Sequence, residues 1–130
     1  MSLNEDEWHL LAIGAFDRPT RICALSPELS VLIGVSTVSI WISPDYVKKI
    51  RFKHRTAEMA FSHIPTILKY GEAYTDREPN CIQFFSQIDN RLYRLVLKGV
   101  QLKNEIWVST FHPVHASDYR RRTKRSRRIK

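Results

Sequence analysis

The stretch CIQFFSQIDNRLYRLVLKGVQLKNEIWVSTFH, residues 81 to 112, decides the fold. Its segments CIQFFSQI (81 to 88) and RLYRLVLK (91 to 98) follow a period of two and are separated only by the turn-forming residues Asp89 and Asn90, a spacing that predicts a tight antiparallel hairpin. A third strand, EIWVSTFH (105 to 112), follows Gly99 and a polar turn around Lys103 and Asn104. Together they form a three-stranded meander.

Upstream of Gly71 the period is helical. Ser43, Pro44 and Asp45 combine a capping side chain, a helix-starting proline and an acid near the positive end of the dipole. In the helix that follows, Tyr46, Val47, Ile50 and His54 share one face, while Lys48, Lys49, Arg51, Lys53 and Arg55 crowd the rest. A second helix is expected from about Thr56, with Met59, Ala60, Ile64, Ile67 and Leu68 on its buried side, Pro65 kinking or interrupting it and Gly71 stopping it. Earlier still, Val38, Ile40 and Ile42 alternate with Thr37, Ser39 and Trp41, which reads as a strand with one largely polar face. RICALSPELSVLIG (21 to 34) reads as a strand end or loop, then a short helix opened by Ser26 and Pro27 and stopped by Gly34. WHLLAIGAF (8 to 16) fits a strand or a buried helix equally. Helices first and antiparallel strands after them argue an α+β class, with N-terminal helices packed on a C-terminal antiparallel meander.

The 130 residues carry a formal charge of +8, and residues 119 to 130 hold eight basic residues and no acidic one, leaving thirteen of each sign in residues 1 to 118. Residues 1 to 118 are therefore expected to be one domain, and 119 to 130 a basic tail with little to bury, disordered when alone. A hydrophobic content of 43%, with 11% aromatic, is globular and excludes a mainly disordered polycation. Cys23 and Cys81 match no metal or redox spacing and read as buried thiols. The acidic N-terminus and the lack of an apolar run of about 18 residues point to a soluble, cytoplasmic protein with no membrane partner. The scattered glycines leave no phosphate-cradling loop, which excludes kinase, P-loop and Rossmann chemistry.

Three segments could carry chemistry. The tail, with Arg120, Arg121, Arg122, Lys124 and Arg125, is an electrostatic footprint for a polyanion, or else a solubilising end or localisation signal. In KKIRFKHR (48 to 55) the surrounding cations disfavour the imidazolium form of His54, giving a neutral base suited to a ribose 2′-hydroxyl; a solvated basic helix end is the plainer explanation. In VSTFHPVH (108 to 115) strand alternation puts Thr110 with His112 on one face and Ser109 with Phe111 on the other, so at most one hydroxyl looks into a given site. An ordinary solvated strand face explains that segment too. His112 and His115 are separated by Pro113 and lack an adjacent carboxylate, so no metal site is expected. His63 reads as a satisfied helix histidine. Asp45 has no downstream partner for a two-metal nuclease, and no G-x-S-x-G elbow is present for a serine hydrolase.

LLAIGAF and SPEL, then VSIWISPDYVKKIRFKH, then IPTILKYGEAY, then a meander ending in IWVSTFH, occur in an order that resembles the phage-borne nuclease domains of the barnase, EndoU, colicin tRNase and RelE superfamily. The resemblance spans most of residues 8 to 112. It implies two helices followed by a four-stranded antiparallel sheet, and metal-independent RNA cleavage in which the 2′-hydroxyl attacks the adjacent phosphate to leave a cyclic phosphate. It carries the helix-end histidine to His54 and the strand hydroxyls to Ser109 and Thr110, with Lys53, Arg55 or Lys98 as the basic group and His112, ahead of His63, as general acid. The basic tail lies outside the family pattern.

The expected function is thus a ribonuclease of toxin or phage-effector type with no cofactor. Its phosphate contacts would come from Lys48, Lys49, Arg51, Lys53, Arg55, Lys98 and the tail, its partner is RNA or another nucleic acid, and the reading leaves room for an inhibitor protein. The alternative is a non-enzymatic nucleic-acid-binding module, a phage structural or regulatory component among them, in which Tyr74, Phe84 and Tyr93 could stack bases, although core packing explains most of these aromatics.

Overall fold

The computed structural model describes residues 2–54, 56 and 58–130, with the side chain of His54 outside that description; the expectations for His54 and Arg55 as site residues therefore lie outside the described residues. The chain forms α1 (Glu5–Ala12), β1 (Thr20–Ala24), α2 (Pro27–Leu32), β2 (Ser39–Ile42) and α3 (Pro44–His54). A 3-10 helix (Glu58–His63), α4 (Ile64–Tyr70), β3 (Glu72–Thr75), β4 (Cys81–Ile88) and β5 (Arg91–Val100) follow. After a short 3-10 turn (Gln101–Lys103) come β6 (Glu105–Pro113) and α5 (Ala116–Lys124). The class is α+β, and the six strands make one sheet in the order β1-β2-β6-β5-β4-β3, antiparallel throughout except for the β2–β6 pair.

Local chemistry accounts for most boundaries. Asn4 and Glu7 form a reciprocal capping box that opens α1, resolving residues 8 to 12 as helix. The Ser43 hydroxyl accepts from the Tyr46 amide at 3.2 Å at the start of α3. Pro65 has no amide hydrogen to donate and divides the expected second helix into a 3-10 segment and α4. Asp89 and Asn90 both take positive φ, 49° and 65°, the geometry a two-residue hairpin needs. At Gly99 a Cβ would sit 2.2 Å from the Ile33 carbonyl oxygen, so only glycine lets β5 pass the end of α2.

The main core lies between one sheet face and helices α1 to α4. Ile82, Phe84, Leu95, Leu97, Ile106 and Phe111 from the sheet meet Leu11, Val47, Ile50, Phe61, Ile64 and Ile67 from the helices. Each such side chain removed from water contributes about 1.5–3 kcal/mol. Met59, expected on the buried side, is instead 63% exposed because the 3-10 winding rotates it away from the Ala60–Phe61 contact.

The expected disordered tail is corrected. Residues 116 to 124 are helical, and α5 lies against the second face of the sheet, so the boundary expected at residue 119 falls inside an element. Tyr119 stacks edge-on against Phe85, with ring centroids 5.0 Å apart, and donates to Glu72. Gln83 donates to Ser126 at 3.1 Å. The last residues then continue beside β3, with backbone hydrogen bonds Ile129 N to Ala73 O and Thr75 N to Arg127 O. One tyrosine and a backbone ladder supply what the composition of the segment does not.

Candidate nucleic-acid interface

Strand pairing sets the second sheet face out in three rows. Glu72, Phe85, Arg94 and His112 form the first; Tyr74, Gln83, Val96 and Thr110 the second; Cys81, Lys98, Trp107, Trp41 and Arg21 the third. Side chains directly opposite one another on neighbouring strands stand about 5 Å apart, and adjacent rows about 7 Å. Helix α5 covers Glu72, Tyr74, Phe85 and Gln83, and a hollow opens at its edge, lined by Asp76, Arg77, Glu78, Cys81, Arg94, Val96, Ser109, Thr110 and Arg122. A second hollow, lined by Asp76, Arg77, Gln83, Arg121, Arg122, Arg125 and Ser126, adjoins it.

Arg94 is the centre of this arrangement. Its side chain is only 9% exposed, and it donates from Nε to Gln83 at 2.9 Å and from a terminal nitrogen to Asp76 at 3.1 Å. Gln83, in turn, is anchored to the Thr75 carbonyl at 2.8 Å as well as to Ser126. Burial lowers the pKa of Arg94, and the neighbouring Arg122 cation lowers it further, against the pull of Asp76. Arg122 has its own Nε buried with no hydrogen-bond partner among the described residues. Two guanidinium groups thus line one hollow, one of them paired to Asp76 and the other with a donor unsatisfied, a configuration that an added anion would stabilise.

The hydroxyls reach the hollow by a device that alternation does not reveal. Val96 pairs with Thr110 but Leu97 pairs with Val108, so Ser109 is an extra residue in β6. The expectation that at most one of Ser109 and Thr110 could face a given site is corrected: the bulge puts both in the lining, while Val108 and Phe111 stay in the core. Tyr46, from the first turn of α3, closes the same corner. Burial raises the pKa of its phenol, and the Thr110 hydroxyl and the Arg94 cation beside it act in the opposite direction. His112 stands on the same face as Thr110, opposite Arg94, with Nδ1 2.9 Å from the Pro113 carbonyl. A carbonyl only accepts, which assigns a proton to Nδ1.

Ser109, Thr110 and Arg122 are therefore brought together, His112 stands beside them opposite Arg94 but lines neither hollow, and Arg121 and Arg125 line the adjoining one. Lys98 is on this face one row away, exposed and 4.0 Å from Glu78. Lys48, Lys49 and Lys53 are exposed on α3, Lys49 within 5.8 Å of the Tyr46 ring, whereas Arg51 is paired to Glu58 at 2.6 Å. Arg120 and Lys124 are exposed on α5 and line neither hollow. Phe84 and Tyr93 lie in the core, and Tyr74 is covered where residue 128 bridges to it, so none of the three is a stacking surface. Sequence reasoning missed Arg94, Tyr46 and Asp76. A cation amid the apolar strand RLYRLVLK was the signal for Arg94, but only the docked helix explains why it is buried.

Cys23 and Cys81 are buried, unpaired thiols, with burial pushing Cys23 up to about 12 and Cys81 upward, so neither is a nucleophile at neutral pH. Among the described residues no group of His, Cys, Asp and Glu could hold a metal ion, and no helix is long and apolar enough to cross a membrane. Comparison with protein-family models, curated proteins and solved structures gives no match to this chain.

Proposed function

We propose that the protein is a metal-independent endoribonuclease that holds the scissile phosphate in the hollow between β6 and α5. The observation that carries this reading is that Arg94 and Arg122, the latter with a buried unsatisfied donor, line one hollow together with Ser109 and Thr110. Preorganised donors of this kind stabilise charge that develops on a phosphate during in-line attack, and act strongly because the site is partly screened from water. In this reading His112, one row from Thr110 and opposite Arg94, moves a proton to or from a ribose or leaving-group oxygen. The reaction balances without a cofactor. The 2′-hydroxyl oxygen bonds to phosphorus, its proton passes to a base, the bond to the 5′-oxygen breaks, and that oxygen takes a proton. The succession α3, α4, β3, β4, β5, β6 supports the resemblance to the barnase, EndoU, colicin tRNase and RelE superfamily, whose members follow two helices with four antiparallel strands.

The decisive assay is cleavage of a labelled single-stranded RNA in EDTA by wild type, Arg94→Lys and His112→Gln. Wild type should leave cyclic phosphate ends, and each variant should lose about 100-fold or more in rate, the usual cost of removing one charge-stabilising or proton-transferring group. Salt-sensitive binding with no cleavage by wild type would replace this reading with a non-enzymatic RNA-binding module; absence of both binding and cleavage would discard it.

A further inference from the structure

Beyond the hollow, the third row of the second sheet face is a run of side chains with a different chemistry. Arg21, Trp41, Trp107 and Lys98 stand opposite one another across β1, β2, β6 and β5, one row from Thr110. The two indoles are half-buried on the face opposite the main core, with ring centroids 6.5 Å apart and planes tilted by 40°. Trp107 donates its indole N–H to Glu105 at 3.2 Å, which fixes the ring's edge and leaves recognition to its π face. Arg21, held by a 2.9 Å hydrogen bond from Nε to Ser39, and the exposed Lys98, 4.0 Å from Glu78, flank the pair with positive charge.

We propose that Trp41 and Trp107 form a stacking platform for unpaired nucleobases next to the phosphate held at Arg94 and Thr110, which makes single-stranded RNA the substrate class. Three observations converge on it. Aromatic faces on an open sheet stack bases of any identity, provided these are not already stacked in a duplex. Cations on either side of the indole pair match a phosphodiester chain crossing the sheet rather than an apolar protein partner. The row adjoins the arginine hollow, with Trp107 three residues or about 10 Å of strand from Thr110, so one nucleic-acid strand reaches both without a break. A duplex keeps its bases inward and offers the platform only sugar and phosphate.

This inference rests on the reading of the hollow as a phosphate site, and the test separates the two. A 2′-O-methyl single strand, which lacks the attacking hydroxyl, and its duplex are titrated into wild type, Arg94→Lys, Trp41→Leu, Trp107→Leu and the conservative Trp→Phe changes, with circular dichroism to confirm folding. Each Trp→Leu change should weaken single-strand binding roughly tenfold, each Trp→Phe change by much less, and duplex binding should be unaffected. Tryptophan fluorescence of the unmodified protein should be quenched by the single strand, a readout independent of whether a variant folds. If the Trp→Leu proteins bind the single strand like wild type while Arg94→Lys does not, or if quenching is absent, the platform is wrong and the phosphate site stands. An equal loss for the duplex would overturn selection of unpaired bases, and failure of wild type to bind either strand would remove both proposals.

Discussion

Arg94 shows how much one side chain can carry. Its partner Gln83 is fully buried and the Asp76 side chain is 13% exposed, so truncation to alanine leaves a largely buried carboxylate without its cation. Arg94→Ala should therefore cost about 3–5 kcal/mol in urea unfolding, whereas Arg94→Met combined with Asp76→Leu should recover most of that stability while abolishing RNA binding. A loss below 1 kcal/mol for the single change would mean that the pair is solvated. Residues 91 to 98 announced a strand, and a cation inside it was visible in the sequence. Its burial was not, because that depends on Asp76, Gln83 and Arg122, which lie 18, 11 and 28 positions away along the chain. Ser109 carries a similar lesson. A bulge is a mismatch between two strands and leaves no mark in the period of either alone.

At the scale of elements, α5 is the one whose composition misleads. A run of arginines with a single aromatic has almost no apolar face, yet Tyr119 places its ring on Phe85 and its hydroxyl on Glu72. That hydrogen bond holds the Glu72 carboxyl below its usual range and pushes the Tyr119 phenol well above its own. The signs then differ at the two ends of the pH scale. Glu72, with its folded pKa lowered, contributes stability that is present above the unfolded value near 4.5 and is lost as pH falls through the folded value. Tyr119, with its folded pKa raised, contributes stability that is complete below the unfolded value near 10 and is lost as pH rises above it. Tyr119→Phe should remove the alkaline loss, shrink the acid one and lower stability by about 1 kcal/mol, read as the melting temperature against pH. A wild-type melting temperature unchanged between neutral pH and pH 11 would show that the contact does not hold α5.

Over the whole molecule, the charge of +8 is a surface rather than a tail. α5 sets Arg121, Arg122 and Arg125 along one edge of the second sheet face, with Arg77 across the hollow and Lys98 beyond it. Deleting residues 116 to 130 would strip the cover from Phe85 and Tyr74 as well as removing cations, so charge is better tested by Arg121→Gln with Arg125→Gln. The double change should reduce the slope of log affinity against log salt by about 1 to 2 while leaving the fold intact; an unchanged slope would place the phosphate contacts elsewhere. The sequence alone determined the α+β class, the hairpin at Asp89 and Asn90, the opening of α3 and the stop at Gly71, since each depends on residues a few positions apart. Only the tertiary structure decided that the basic segment is a helix on the sheet, that Ser109 and Thr110 face one hollow, and that Arg94 lines the same hollow. Those outcomes rest on strand register and on burial between distant segments, and neither is encoded in local periodicity.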